Sequence, residues 1–217
     1  GIFKGMRYVD VSSGSTYYPK ILGAYERELY PGLDLIVKDQ FEHLIVAGTG
    51  EGFYAVGINM KCQILKNTFF EIDSNARKNF KKLARINHLT NYNLYDKCTP
   101  KSFKEVLVKD LKTFVLMDIE GDELTILNPE VIPDLNECTI LVEIHDFKNL
   151  SIGKIIFSRF QRSHNIQKIL SIQRGTKDIY NYLPFWETIF IRRKYLLQLL
   201  DESRPIGMYW YIMKPRC

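Results

Sequence analysis

Residues 44–57 read LIVAGTGEGFYAVG: an apolar run, glycines at 48, 50 and 52, then a second apolar stretch. A buried strand that breaks into a glycine turn and restarts as a helix is how an open α/β sheet seats a nucleotide-like ligand. The turn does not follow the dinucleotide pattern G-x-G-x-x-G, because the third glycine would fall at position 53, where Phe53 stands. An NAD(P)-dependent oxidoreductase is disfavoured on that ground. No G-K-[ST] follows either, which removes a P-loop. Glycines at a tight turn also serve the backbone alone, so the ligand has to be read from the neighbouring segments.

Outward from this turn the chain alternates. Segments 43–47, 67–73, 92–95, 113–121, 138–146, 166–174 and 207–215 read as seven strands. Segments 51–61, 74–89, 99–109, 151–164 and 184–200 read as helices, with Ser74 or Asn75 capping one and Thr99-Pro100 opening another. PEVIPDL (129–135) breaks into short helical turns at its prolines. This order predicts an α/β fold: a doubly wound, mostly parallel, Rossmann-like seven-stranded sheet with helices on both faces. The last strand follows closely on its helix and is expected to add antiparallel. In residues 17–40, Ile21, Leu22, Tyr25, Leu29, Leu33, Ile36 and Val37 recur at helical spacing, with an interruption expected around Pro31-Gly32. Residues 1–42 are read as an N-terminal helical cap of the same domain, and 43–217 as its ligand-binding part.

The bulk composition narrows the class. At 217 residues, 46% hydrophobic and 25% charged, the chain has the make-up of one soluble globular domain. No run reaches the roughly 18–20 apolar residues of a membrane span, and GIFKGMRYVDVSSGS (1–15) is not expected to act as a signal peptide. Cys62, Cys98, Cys138 and Cys217 lie far apart with no C-x-x-C, which fits a reducing cytoplasm and neither a zinc site nor a disulfide framework. Charge is uneven: residues 1–147 hold 17 Lys+Arg against 21 Asp+Glu, and 148–217 hold 13 against 4. The basic last third, with its IRRKY cluster (191–195), could favour RNA or an anionic acceptor. A solvated Lys/Arg surface explains it better, because the charges are scattered, so nucleic acid is not the favoured partner.

The second strand sharpens the ligand. FFEID ends in Glu71 and Asp73, and Glu71 lies 23 positions after Gly48, near the spacing at which an acid accepts hydrogen bonds from a ribose diol. Turn and acid without a pyrophosphate cradle suit S-adenosylmethionine (SAM). The segments GTGEGFYAVG, FEIDSNARKNFKKLARIN, VLMDIEGDEL and ILVEIHDF together resemble the successive motifs of class I SAM-dependent methyltransferases, and the FkbM-like group most. The resemblance covers about residues 40–147. It implies that Gly48, Thr49, Gly50 and Glu51 surround the methionine end of SAM and that Glu71 binds the ribose. Ile72 and Asp73 would lie beside the adenosine, and Asp96, Lys97 and Cys98 near adenine. Where the family often has an acid two residues before the first glycine, this chain has Val46, so the methionine amine is expected to be held from elsewhere, Asp118 or a backbone carbonyl.

DIEGDE (118–123) and EIHD (143–146) end what should be adjacent strands. Asp118, Glu120, Glu143 and His145 are therefore expected to converge at the pocket mouth. His145 is the first candidate for a catalytic base because its ordinary pKa lies near 6.5, with Glu120 and Glu143 orienting it or the acceptor. Carboxylates could instead hold Mg²⁺ or Ca²⁺, but without a tight D-x-D or H-x-x-x-H spacing no metal is expected. Tyr17, Tyr18 and Tyr25 could close over the pocket or simply pack. The expected activity is O-methylation of a small-molecule or sugar-like acceptor. An RNA- or protein-directed methyltransferase and a non-catalytic SAM-binding protein stand as alternatives. DIEG in place of an N/D-P-P-[YF] motif argues against base N-methylation.

Overall fold

The computed structural model describes residues 1–147, 151–189, 191–205 and 207–216. Part of the loop expected at 147–155 and the terminal Cys217 lie outside the described residues. The seven strands are β1 (His43–Ala47), β2 (Lys66–Phe70), β3 (Asn93–Tyr95), β4 (Thr113–Met117), β5 (Thr139–Ile144), β6 (His164–Leu170) and β7 (Tyr209–Pro215). They form one sheet in the order β3-β2-β1-β4-β5-β7-β6. β1 to β5 run parallel, and β7 lies antiparallel between β5 and β6. The expected doubly wound sheet and its antiparallel last strand are both present.

All five residues of β1 and of β4 are buried, as befits parallel strands covered on both faces. Their side chains alternate between two cores. Leu44 and Val46 of β1, Phe114 and Leu116 of β4, and Trp210 and Ile212 of β7 point to one face. That face is covered by α2 (Tyr30–Lys38), α3 (Phe53–Lys61) and α4 (Ser74–Ile86) through Leu33, Ile36, Val56, Phe80 and Leu83. Ile45, Ala47, Val115, Met117, Ile140 and Val142 point to the other face. There they meet Phe103 of α5 (Pro100–Val106), Ile126 of α6 (Glu123–Ile126), and Ile156 and Phe160 of α7 (Ile152–Phe160).

Several boundaries differ from the sequence reading: β2 and β4 end at Phe70 and Met117, short of the expected 73 and 121, and β6 covers His164–Leu170 in place of 166–174. Three further differences have a local reason. The N-terminal helices break at Gly23, which takes the left-handed conformation after α1 (Tyr17–Leu22), whereas Pro31 sits in the first turn of α2, where its missing N–H costs nothing. The cap of α4 is Asp73, whose carboxylate accepts from the Asn75 N–H at 2.9 Å, and neither Ser74 nor Asn75. Segment 184–200 is two short helices, α8 (Phe185–Thr188) and α9 (Arg193–Leu200), in place of one. No helix among the described residues is long and apolar enough to cross a membrane.

Candidate functional site

Between β1 and β4 the winding of the sheet reverses, and at such a point the carboxyl ends of the strands splay into a crevice. A cavity of about 560 Å³ lies there, within the roughly 300–1,000 Å³ usual for small-molecule sites. Its floor is the glycine turn. Gly48, Gly50 and Gly52 all have positive φ (79°, 56° and 105°). A side chain at Gly48 would put Cβ 1.6 Å from the Asp118 carbonyl oxygen, so the ends of β1 and β4 touch through bare backbone. The Thr49 hydroxyl donates to the Phe70 carbonyl oxygen at 3.0 Å and ties the turn to β2.

Glu71, the first residue after β2, is buried, and its carboxylate bridges two backbone amides. Gly50 N–H donates to one oxygen at 2.6 Å and Asp73 N–H to the other at 2.8 Å. Each oxygen keeps an acceptor position, and Glu71 lines the cavity together with Ile72, Asp73, Asp96, Lys97 and Cys98. Arg77 braces this corner by donating to the carbonyl oxygens of Glu71 and Ile72 at 2.6 and 2.8 Å. Asp73 reaches the cavity wall while its carboxylate serves as the helix cap.

Glu51 lines the cavity beside the glycine turn. It is 1% exposed, and its carboxylate is engaged by the N-terminal segment. It accepts from the Tyr8 hydroxyl, from Ser12 Oγ at 3.2 Å and from Ser13 N–H at 2.7 Å, and it pairs with Lys20 Nζ. Burial raises its pKa, but Lys20 and these hydrogen bonds outweigh that and hold it below the ordinary value. The Lys20 ammonium also packs over the rings of Tyr25 and Phe53, at 4.9 and 5.5 Å from the centroids. Residues 8–20 are thereby clasped onto the turn, and Ser13, Gly14, Ser15 and Lys20 join the cavity wall. Of the three tyrosines singled out, Tyr25 lines the cavity, while Tyr17 and Tyr18 pack against each other at 5.6 Å.

The acidic rim forms as the adjacent strands dictate. His145 Nε2 lies 3.5 Å from Asp118 Oδ1, 3.5 Å from Glu143 Oε2 and 3.9 Å from Glu120 Oε2. The other ring nitrogen, Nδ1, is 2.7 Å from Glu123 Oε1, and both residues are at most 1% exposed. Burial disfavours the charged imidazole, but the Glu123 hydrogen bond and charge, with Asp118 and Glu120, outweigh it and raise the His145 pKa. Burial, with the charges of Glu120 and Glu123, raises the Asp118 pKa, and burial, with the charges of Asp118 and Glu26, raises that of Glu143 well above the ordinary value. No metal was expected from the spacing of these residues, yet three potential ligand atoms, one each from Asp118, Glu143 and His145, lie within 4.8 Å of one another.

Two participants escaped the sequence reading. Glu123 was already present in the DIEGDE motif, but a strand pattern cannot show that Glu120 and Gly121 turn with positive φ (59° and 113°) and fold Glu123 back under His145. Arg204 comes from the loop before β7. Its guanidinium donates to Glu143 Oε1 at 2.7 Å, pairs with buried Glu26 and Glu202, and lies over the Tyr25 ring. No spacing signal connects it to residues 61 and 178 positions away.

No protein-family model matches the chain, and no curated protein matches it in sequence. Solved structures do match. The fold is the Rossmann-like methyltransferase fold. SMU.1697c of Streptococcus mutans, in complex with SAH, aligns at TM-score 0.58 and 9% identity over 88% of this chain and 98% of its own. An rRNA methylase of Streptococcus thermophilus aligns at TM-score 0.57 and 8% identity over 89% and 99%. Spermidine synthase of Thermotoga maritima aligns at TM-score 0.56 and 10% identity over 89% of this chain and 62% of its own. At such identities the likeness is one of fold, and that fold serves more than one group transfer.

Proposed function

We propose that the chain is a SAM-dependent methyltransferase that methylates an oxygen of a small, polar acceptor. The observation that carries this reading is Glu71: a buried carboxylate, fixed by two backbone amides beside the glycine turn, with acceptor positions left for a ribose diol. In this reading the adenine lies by Ile72 and the Asp96–Cys98 segment, the methionine tail folds over Gly48–Gly50, and the sulfonium faces the acidic rim. Val46 is a wall residue without charge, and Asp118, the first residue after β4, lines the same cavity and is the carboxylate available to the methionine amine. The FkbM-like assignment belongs to the same proposal, carried by D-I-E-G-D-E and E-I-H, as do a cytoplasmic location and the 1–42 cap.

Methyl transfer from a sulfonium is an in-line displacement on an activated carbon, so positioning supplies most of the acceleration. His145, Glu120 and Glu143 border the place where an acceptor would meet the methyl, and they are the residues we assign to orienting it. A nucleic-acid acceptor fits less well, because Glu120 and Asp122 add negative charge to the cavity lining and would repel phosphates. Calorimetry with S-adenosylhomocysteine tests the cofactor. The intact protein should bind it with an affinity of tens of micromolar or tighter, and Glu71→Ala should weaken binding at least about tenfold, or about 1.4 kcal/mol. Absence of binding by the folded wild-type protein contradicts the assignment.

A further inference from the structure

We infer that His145, Asp118 and Glu143 form a binding site for one divalent cation of the first transition row. Two separate observations carry it. The first is the constellation itself: an imidazole nitrogen and two carboxylate oxygens with their pairwise separations all within 4.8 Å. Ligands about 2.1 Å from a common ion stand about 3.0–3.5 Å apart, and Nε2 is 3.5 Å from each carboxylate oxygen. That separation is long for a hydrogen bond and right for a shared ion. The second is that His145, 1% exposed, aims Nε2 into this space with no hydrogen-bond partner among the described residues, and Asp118 Oδ1 is also without one.

The surroundings fit a metal ligand. Glu123 on Nδ1 is the outer carboxylate that fixes the tautomer of a metal-bound histidine and leaves the Nε2 lone pair directed at the ion. Arg204 engages Oε1 of Glu143 and leaves Oε2 turned toward His145. One imidazole with two carboxylates suits manganese, iron or zinc better than calcium. The Asp118 side chain is 31% exposed on the cavity side, so the ion would keep coordination positions open to a ligand there.

Resting on the methyltransferase reading, this ion deepens it by naming the acceptor chemistry: a hydroxyl that coordinates the metal. Coordination lowers the hydroxyl's pKa, and its proton leaves to water. The oxygen then forms the new bond to the methyl carbon as the carbon–sulfur bond breaks and its electron pair returns to sulfur.

Electron paramagnetic resonance with Mn²⁺ as the probe tests the site without reference to activity. The wild-type chain should bind one Mn²⁺, His145→Ala and Asp118→Asn should lose it, and Glu123→Gln should weaken it about 10- to 100-fold. In the unmodified protein, substoichiometric Mn²⁺ should broaden the His145 imidazole signals before those of His43, His88 or His164, a readout independent of whether any variant folds. No Mn²⁺ or Zn²⁺ binding by the folded wild type, or equal broadening of all four histidines, overturns the site. Calorimetry with S-adenosylhomocysteine on the same preparation separates the two readings. Nucleoside binding without Mn²⁺ removes the metal site alone, and Mn²⁺ without nucleoside leaves the site but removes the methyltransferase.

Discussion

Replacing Gly48 with alanine would drive a methyl group into the Asp118 carbonyl 1.6 Å away, at a φ of 79° that alanine also disfavours. Since the obstacle is backbone on both sides, the strand ends themselves must part. A loss of more than about 3 kcal/mol is expected, read as a lowered melting temperature. A Gly14→Ala control, where a Cβ would meet nothing within 4 Å, bears only the positive-φ cost and should lose far less. At this scale the sequence was informative wherever a residue type admits one use: the glycine turn, and the acid after β2. It was silent where a role depends on a turn conformation, as with Glu123, or on a partner far along the chain, as with Arg204. Glu51 is a mixed case: it lines the cavity as its place in the motif suggests, but its side-chain partners Lys20 and Tyr8, 31 and 43 residues earlier, carry no spacing signal.

The clasp of the N-terminal segment onto the glycine turn contains a buried ion pair between Lys20 and Glu51. Lys20 and Glu51 side chains are 4% and 1% exposed, so removing one partner leaves a buried charge and should cost about 3–5 kcal/mol. Lys20→Met and Glu51→Gln are each expected to destabilise, with the double variant recovering part of the sum. Hydrogen exchange should quicken across residues 8–20 first. Equal and additive losses would show that the pair does not hold the segment. Elements were legible where apolar runs were continuous: β1 was read to the residue, and β4 and β5 were found. They were less legible where turn chemistry decides, as at Gly23 or between α8 and α9, because short amphipathic pieces show the same period as one longer helix.

Across the molecule, proton linkage opposes groups of different kinds. His43 is fully buried at the start of β1, with Nε2 on Thr68 Oγ1 at 3.0 Å, and burial followed by the Lys66 charge lowers its pKa from 6.5 to about 4. The unfolded chain therefore binds the His43 proton at higher pH than the fold does. Stability from this group is full above about pH 6.5 and is lost as pH falls toward 4, on the order of 3 kcal/mol. Glu202 runs the other way: burial raises it to about 7, so its contribution is full at acid pH and is lost as pH rises from about 4.5 to 7. Urea midpoints across pH 4–8 should show a His43→Gln variant with less acid-side loss than wild type and a Glu202→Gln variant with less loss on the neutral side. Parallel curves for all three proteins would contradict both assignments.

The sheet order, the crevice at the winding reversal and the amide-held carboxylate converge on one arrangement, a nucleoside seated over the ends of β1 and β2. A crystal structure grown with S-adenosylhomocysteine tests it most directly. The account predicts both ribose hydroxyls within hydrogen-bond distance of the Glu71 carboxylate and the homocysteine tail along Gly48–Gly50. A ribose bound elsewhere, with Glu71 still bridging only the Gly50 and Asp73 amides, would contradict it.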